Sequence, residues 1–368
     1  PFDPIVKDGY FIARGCQDNK SSAIIALYAL KYMKEHNIFP QHTMEVYLGT
    51  WEEQGMYDID YFLEHYQAPA LSLVPDSGFP VCLGERGSFD GELTCNWPCS
   101  TEGIEIVCDC SVYPIPGNVT LRVPFTEELW EKCRQEKEAS DTENGLGVWA
   151  ERVDNKIVIT AQGISTQASN PSKGKNALSM LAGYVCEREL FGAPEQSAFA
   201  FIKDINKDNN GTALQVNCED ELSGPINLVA TRLRLKEGHF AIDFASKYPI
   251  TKNDFPFEES AAKAACERGF TLKVTRFSKA NYFNPDRPEV QILTQVSNEV
   301  LERTDTPFVM SGGTYARKLG GNGVAFGPVF PGQENVIHQK DEYITIEHLM
   351  KNVEIMAHAI HRLGLYTL

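Results

Sequence analysis

The sequence predicts an α/β protein in which a second, α+β domain is inserted into the first. Helix and strand patterns alternate over the opening part of the chain, which is typical of α/β domains. Short strands and turn-rich segments follow Pro80, and long helical patterns return from Arg287. A chain of 368 residues can give each of two domains its own core. We therefore predict one domain from residues 1–80 and 281–368, and an inserted domain from residues 81–280.

The elements of the first domain follow from the spacing of its apolar residues. Helical periodicity predicts helices at residues 21–35, 57–65, 288–303 and 346–363. Alternating or short apolar runs predict strands at residues 43–48, 70–74 and 324–326. The last of these strands is expected to complete the sheet that the first two begin.

The inserted domain shows a different order of elements. Its patterns predict, in chain order, a strand at 156–161, a helix at 174–190, strands at 227–233 and 240–244, a helix at 257–267 and a strand at 271–277. The order β-α-β-β-α-β is the ferredoxin-like pattern. Turn-forming groups at residues 96–98 and 114–117 interrupt the short strands that come before it.

The composition excludes several classes of protein. A formal net charge of -16 opposes binding to nucleic acid or to anionic lipid, because both depend on clustered Lys and Arg side chains. The longest apolar stretch, residues 23–30, is far shorter than the roughly 20 residues of a membrane-spanning helix. Ten irregularly spaced cysteines are too dilute for a disulfide scaffold, so we expect free thiols and a cytoplasmic location.

Four cysteines lie close enough in sequence to suggest a structural zinc site: Cys95, Cys99, Cys108 and Cys110. Their spacings match no standard pattern of zinc ligands. Thiols used as small apolar residues are therefore the preferred interpretation.

Four segments place metal-binding side chains in loops at or after predicted strand ends, where α/β sheets usually form their sites. Asp18 lies in a loop that leads into the first helix. Glu52 and Glu53 follow one predicted strand, Asp76 follows another, and His338 precedes the final helix. Two adjacent carboxylates in a tight loop point in different directions, so one can bind a cation while its neighbour faces a water molecule.

Each segment taken alone has a simpler explanation. A carboxylate at a strand end is more often a helix cap or a solvated charge. An isolated histidine is more often a core or surface residue than a metal ligand. The presence of all four segments in one ordered set is the observation that favours a metal site.

The ordered set resembles the M20 metallopeptidases, and within them the bacterial dipeptidases of the PepV type. The resemblance covers nearly the whole chain in the same order and is looser in the insert. It rests on residues 1–4, 8–10, 14–20, 49–55, 74–79, 84–87, 163–176, 312–317 and 338–343. It implies a phosphorylase/hydrolase-like zinc-peptidase catalytic domain, with the insert as a ferredoxin-like lid domain.

The resemblance also implies two zinc ions in the full-length protein, with Mn²⁺ or Co²⁺ as alternatives. Asp18 corresponds to the carboxylate that bridges them, and its bond to Asn19 corresponds to a non-proline cis peptide. Glu53 and His338 correspond to ligands of one ion. Asp76 corresponds to a ligand of the other ion.

The remaining implied roles concern the substrate and the attacking water. Glu52 corresponds to the general base that takes a proton from that water. Arg317, in the turn that contains Gly313 and Thr314, corresponds to the residue that binds the substrate's carboxylate, for which a planar guanidinium is well suited. A surface ion pair is the alternative explanation for Arg317.

Three features depart from the family pattern. The family's remaining metal ligand comes from a His-x-Asp motif that precedes the segment at residues 1–4, so we expect the natural start of this protein to lie upstream. Gln167 stands where the family has a histidine that donates to the developing oxyanion; glutamine can donate but cannot carry charge. Tyr113 stands where the family usually has asparagine.

The leading prediction is therefore zinc-dependent hydrolysis of dipeptides or short peptides, by a protein that we expect to be a monomer. The same two-metal core also serves amidohydrolases that act on N-acyl amino acids. A non-catalytic binding protein is the third alternative, favoured by Gln167 and by the missing histidine ligand. The sequence does not separate these alternatives.

Overall fold

The computed structural model describes residues 2–99, 102–134 and 145–366. Their contacts divide the chain into two compact units. The first unit comprises residues 1–86 and 281–368, and the second unit comprises residues 87–280. The sequence assigned residues 81–86 to the insert, but the strand Cys82–Glu85 belongs to the sheet of the first unit and Val81 and Leu83 lie in its core.

The main sheet of the first unit has five strands. In order across the sheet these are Asn281–Tyr282, Cys82–Glu85, Gly323–Ala325 and Ser72–Val74, and the fifth strand, Phe308–Met310, pairs with Cys82–Glu85. Ser72–Val74 and Gly323–Ala325 run parallel, with Leu73 opposite Val324. The loop that follows Ser72–Val74 carries Asp76, so this strand end leads directly into the candidate site.

Helices cover this sheet because each presents apolar residues at helical spacing. The described helices of the first unit are Lys20–Glu35, Tyr57–His65, Pro288–Leu301 and Ile346–Leu365, with 3₁₀ turns at Glu52–Gln54 and Tyr315–Lys318. Leu293 of one helix and Ile355 of another are fully buried against Phe326 in a single core cluster. The four predicted helices are confirmed, with ends that differ by at most two residues.

Two smaller groups of strands complete the first unit. Ile5–Lys7, Tyr10–Ile12 and Tyr343–Thr345 form a three-stranded sheet, and Ser77–Gly78 pairs with Pro328–Val329. The predicted strand at residues 43–48 is wrong, because it has no strand partner in the described part of the chain. Its alternating pattern of exposure persists, with Met44 and Val46 half-buried, but alternation alone supplies no backbone partner.

The second unit contains the ferredoxin-like sheet that the sequence predicted, with a different first strand. The strand order is Asn227–Lys236, His239–Lys247, Ser88–Cys95 and Phe270–Ser278. The described helices of this unit are Glu127–Arg134, Ala177–Arg188, Ala193–Ile205 and Phe257–Glu267. Lys156–Gln162, predicted as the first strand, instead belongs to a separate sheet; Ser88–Cys95 takes its place and is buried on both faces.

The separate sheet has the strand order Gly147–Val153, Lys156–Gln162, Asn118–Pro124 and Glu105–Cys108. Its first two strands form a hairpin closed by a two-residue turn, in which Asp154 has a φ of 54°. Two short pairs remain: Pro114–Ile115 with Thr166–Gln167, and Glu219–Asp220 with Gly224–Pro225. The helix Ala193–Ile205 was not predicted, although Phe199 and Ile202 are fully buried on one of its faces.

The helices and the cysteines can be compared with what the composition led us to expect. Among the described residues, no helix is both long enough and apolar enough to cross a bilayer. All ten cysteines are free thiols, and five of them are buried.

Candidate metal and catalytic centre

Three residues that are far apart in sequence meet in the first unit. The His338 Nε2 atom lies 2.6 Å from Glu53 Oε1 and 3.0 Å from Asp18 Oδ2. Each of the three side chains offers one atom that could bind a metal, and these three atoms all lie within 4.8 Å of one another. The side chains of Glu53 and His338 are 56% and 61% exposed, so the cluster is open to solvent.

The loop that carries Asp18 is held by its backbone. Glu342 accepts hydrogen bonds from the N–H groups of Gly15, Gln17 and Asp18, at 2.8, 2.8 and 2.9 Å. The peptide bond between Asp18 and Asn19 is cis, as the resemblance implies. Sequence reasoning did not single out Glu342, although it lies only four residues after His338.

His338 lies in a turn rather than in a regular element. Its φ is 60°, in the left-handed region that residues other than glycine rarely adopt. The turn is anchored at Val336, which is buried and whose N–H donates to the side-chain oxygen of Gln17 at 3.2 Å. The same loop that presents Asp18 therefore also holds the turn that presents His338.

Glu52 and Glu53 lie together in the 3₁₀ turn Glu52–Gln54. The residues just before this turn are held by Asp58, whose Oδ2 atom accepts from the N–H groups of Thr50 and Trp51 at 2.7 and 3.1 Å. Such side-chain bonds to backbone N–H groups are typical of tight loops. They fix the direction in which the chain enters the turn.

Asp76 follows the strand Ser72–Val74 and is half-buried. Burial, together with the negative charges of Asp18 and Glu52, raises the pKa of Asp76 to about 8. Its Oδ1 atom accepts a hydrogen bond from the side-chain amide of Asn19 at 3.4 Å. Asn19 makes a shorter bond, of 2.6 Å, to the carbonyl of Pro75, which ties the Asp76 loop to the Asp18 loop.

The carboxylates of the centre raise one another's proton affinity. Burial and the charges of Glu53 and Asp18 raise the pKa of Glu52 to about 7. Burial and the charge of Glu53 also raise the pKa of Asp18. Burial alone would lower the pKa of His338, but its hydrogen bond to Glu53 and the nearby negative charges raise it. The cluster therefore carries excess negative charge that a cation would neutralise.

The donor set of Asp18, Glu53 and His338 fits a divalent metal ion. Carboxylate oxygen and imidazole nitrogen are ligands that Zn²⁺ accepts, and Mn²⁺ and Co²⁺ are compatible with them. Tetrahedral ligands about 2 Å from one ion lie about 3.3 Å apart. The observed separations of 2.6 and 3.0 Å therefore need only a small outward shift to admit an ion.

The predicted substrate-binding turn is organised around Glu85. This buried carboxylate accepts from the N–H and hydroxyl of Thr314 at 3.1 and 2.6 Å, and from Arg317 Nε at 2.9 Å. Arg317 also donates through Nη2 to the carbonyl of Gly312. The side chains of Arg317 and Glu85 are 7% and 1% exposed, so this is a buried ion pair rather than the surface pair considered as the alternative.

Gly313 lies against the guanidinium of Arg317, where a Cβ atom would collide with it. Glycine at this position therefore permits the close approach of the backbone to Arg317. Glu85 was noted in the sequence only as part of a motif, and its role as the centre of this turn was missed.

Gln167 and Tyr113 belong to the second unit. Gln167 is exposed and pairs with Pro114 in a two-residue strand. Tyr113 is 49% exposed, and the guanidinium of Arg276 lies 5.5 Å from its ring centre. Each is therefore available for contact with a ligand.

The four cysteines considered as a zinc site do not form one cluster. Cys95 Sγ lies 3.5 Å from Cys99 Sγ, whereas Cys108 and Cys110 donate to backbone carbonyls of the strand Asn227–Lys236. Within the described residues, the group of Asp18, Glu53 and His338 is the one that could hold a metal ion. The interpretation of these cysteines as ordinary thiols is thus favoured.

Comparison with known proteins gives matches over almost the whole chain. Residues 1–362 match the sequence profile of Peptidase family M20/M25/M40. The candidate dipeptidase YtjP of Bacillus subtilis (strain 168) is 28% identical over 372 residues, which cover 99% of this chain and 79% of that protein. A candidate dipeptidase of Staphylococcus aureus (strain MRSA252) is 28% identical over 380 residues, which cover 99% and 78%.

Solved structures of peptidases share the fold. A tripeptidase from Staphylococcus aureus superposes with a TM-score of 0.57 at 15% identity, covering 98% of this chain and 76% of that chain. Aminopeptidase PepT from Bacillus cereus gives 0.54 at 16% identity, with coverage of 98% and 76%. Aminoacylhistidine dipeptidase from Vibrio alginolyticus gives 0.52 at 14% identity, with coverage of 99% and 79%. The predicted fold class is confirmed.

Proposed function

Because the chain belongs to Peptidase family M20/M25/M40, and is therefore a hydrolase, we propose that it cleaves the peptide bond of dipeptides or short peptides with the help of divalent metal ions. The observation that carries this proposal is the convergence of Asp18, Glu53 and His338 from three distant segments. Its relatives named as candidate dipeptidases support the choice of a small peptide substrate.

We propose two zinc ions, with Mn²⁺ or Co²⁺ as alternatives. Glu53 and His338 would hold one ion, Asp76 the other, and Asp18 would bridge them. Divalent ions at such a site acidify water and polarise a substrate carbonyl. Activity is to be measured on the chain together with any residues that its gene encodes before Pro1.

Glu52 is the proposed general base. It lies next to Glu53 in the same turn, and its pKa of about 7 is close to the value at which a carboxylate both accepts and returns a proton efficiently near neutral pH. A cation held nearby would lower this pKa and keep Glu52 ionised. In either case Glu52 takes a proton from the attacking water and can pass it to the leaving amine.

Substrate binding is assigned to the turn that contains Gly313, Thr314 and Arg317. Glu85 fixes the orientation of Arg317 through Nε, and Thr314 bonds the same carboxylate. We propose that Arg317 binds the free carboxylate of the peptide. Gln167 is the proposed donor to the oxyanion, with the second unit, residues 87–280, as the proposed lid.

Two further proposals concern the state of the protein in the cell. Ten free thiols favour a reducing compartment such as the cytoplasm. We propose a monomer, in which the protein's own lid closes over the substrate.

The proposed function is tested by measuring, for each protein variant, both its turnover number and its zinc content. A panel of dipeptides and N-acetyl amino acids is assayed with the wild type and with E52Q and E53Q. We expect E52Q to lower kcat by at least about 10²-fold with its zinc content unchanged, and E53Q to lose zinc as well. E64Q, on an exposed side chain of the helix Tyr57–His65, is the matched control and should behave as the wild type.

The other candidate functions give different results in the same assay. Cleavage of N-acetyl amino acids alone would replace the peptidase assignment with an amidohydrolase. Bound zinc with no turnover of either substrate class would indicate a binding protein.

A further inference from the structure

Glu342 is a buried carboxylate, and its side-chain hydrogen bonds within the described part of the chain go to one loop, residues 14–18. Its Oε1 atom accepts from the N–H groups of Gln17 and Asp18, and its Oε2 atom accepts from the N–H of Gly15. Oε2 also accepts from Arg14 Nη1 at 2.8 Å. The side chain is 1% exposed. Four donors therefore converge on a single carboxylate, and one of them is the backbone of Asp18 itself.

Further bonds join the segment that carries Glu342 and His338 to the same loop. Arg14 Nη2 donates to the carbonyl of Gln339 at 2.6 Å. The N–H of Ala13 donates to the carbonyl of Glu342 at 3.0 Å. Since Gln17 also accepts from Val336, bonds to this loop are made on both sides of His338. The two loops that supply Asp18 and His338 are thus joined into one assembly.

The chemistry of these bonds requires a carboxylate. All four partners of Glu342 are donors, and an ionised carboxylate offers acceptors on both of its oxygens. A glutamine would keep one oxygen, but its NH₂ group would face two of these donors. An unmatched donor in a buried site loses its hydrogen bond to water without gaining another, so the loop is expected to shift rather than to keep its position.

From these contacts we propose that Glu342 is a positioning residue that sets the distance between Asp18 and His338 and thereby the affinity of the centre for divalent metal. Glu342 acts through the backbone of Asp18 and does not bind the ion. This inference rests on the proposed function in one respect, that Asp18 and His338 are metal ligands. It adds a residue whose effect is measured by metal affinity rather than by chemistry.

The test is to titrate the protein with zinc chloride and to measure the zinc dissociation constant by isothermal titration calorimetry. Residues that orient metal ligands typically change metal affinity by 10–100-fold when they are mutated. We expect E342Q to raise the zinc dissociation constant by about 10–100-fold. E342D, which keeps both oxygens but is one methylene shorter, should give a smaller rise. Excess zinc should restore most of the kcat of both variants, which a general loss of structure would not allow.

E289Q is the matched control. Glu289 is also a buried glutamate of the first unit, and it pairs with Arg287 at 3.0 Å. We expect E289Q to lower stability without changing zinc affinity. Circular dichroism and size-exclusion chromatography establish that each variant is folded; if E342Q does not fold, E342D gives the measurement.

The outcomes separate this inference from the proposed function. A folded Glu342 variant with the zinc affinity of the wild type overturns the inference, as does an equal loss in E289Q. A wild type that binds zinc but cleaves neither dipeptides nor acyl amino acids overturns the function, whereas the expected loss of zinc affinity in E342Q would still support the positioning role.

Discussion

The hydroxyl of Tyr315 donates to Asp58 Oδ2 at 2.7 Å, and this bond joins two loops of the candidate site. Asp58 holds the residues that lead into Glu52, whereas Tyr315 begins the turn that carries Arg317. The proposed general base and the proposed substrate-binding residue are therefore linked through one oxygen atom.

This link predicts that Y315F weakens both stability and turnover. Loss of one hydrogen bond to a carboxylate should lower the free energy of unfolding by about 1–2 kcal/mol in urea titrations. D58A, which also frees the N–H groups of Thr50 and Trp51, should lower kcat more than Y315F does. Y343F is the control, because Tyr343 bonds an exposed carboxylate, Glu334, at 2.7 Å. If Y315F and Y343F have equal effects on kcat, the link has no catalytic role.

Arg317 is predicted to have two separable roles, which a double mutant distinguishes. R317M leaves Glu85 buried without its charged partner and should cost about 3–5 kcal/mol of stability. Adding E85Q removes the unpaired charge and should restore most of that stability. The KM for a dipeptide should remain raised in the double mutant, while the KM for the corresponding peptide amide should change little. Recovery of KM together with stability would show that Arg317 acts only through the fold.

Gln167 is predicted to limit the rate of the chemical step. Q167H should raise kcat on a dipeptide with little change in zinc content, because a charged donor stabilises the transition state more than a neutral one. Q167A should lower kcat, by analogy with the loss of an oxyanion donor. If neither substitution alters kcat while E52Q abolishes turnover, another group stabilises the oxyanion.

In the second unit, we predict that Glu92 makes a pH-dependent contribution to the free energy of unfolding. Its oxygens accept from Arg234 Nη2 at 2.6 Å and from Lys236 Nζ at 2.9 Å. Burial alone would raise its pKa, but these two hydrogen bonds hold the pKa of Glu92 below its ordinary value of 4.5. A carboxylate with a lowered pKa stabilises the fold fully above its ordinary pKa, and this contribution is lost as the pH falls below that value.

E92Q should therefore be about 1–2 kcal/mol less stable than the wild type at pH 7, since both cationic partners are partly exposed. The difference should begin to shrink when urea unfolding is repeated at pH 4, below the ordinary pKa of 4.5, because there the unfolded chain binds more protons at Glu92 than the folded protein does. E105Q is the control, because Glu105 forms an exposed pair with Arg122 and should contribute at most about 1 kcal/mol. A difference between E92Q and the wild type that does not vary with pH would contradict this account.

The parts of the structure that the sequence predicted are those with strong local signals. Helices such as Tyr57–His65 repeat their apolar residues over two or more turns, so their bounds were predicted to within two residues. Asp18, Glu53 and His338 were chosen as candidates because their motifs occur in a fixed order, and their side chains lie close together in the structure. The fold class followed from the alternation of elements and from the family resemblance.

The parts that were missed depend on contacts between distant residues. Glu342 follows Lys340 and Asp341, and a short run of charges usually indicates a solvated surface. Its partners are more than 320 residues away in sequence, so no local pattern shows that it is buried. The pairing of Ser88–Cys95 into the ferredoxin-like sheet is equally non-local, because periodicity identifies a strand but not its neighbours.

The chain passes from the first unit to the second once and returns once. In each unit, the residues at these two crossings lie on paired strands. Glu85 lies opposite Asn281 in one sheet, and Ser88 lies opposite Ser278 in the other. A chain without residues 87–280 could therefore be rejoined by a short connection, because the ends to be joined are already neighbours. Gene rearrangement can thus add, remove or exchange the whole insert in one step while the strand order of the host sheet stays the same. The proposed metal ligands Asp18, Glu53, Asp76 and His338 lie in the first unit, so such an exchange would leave them in place.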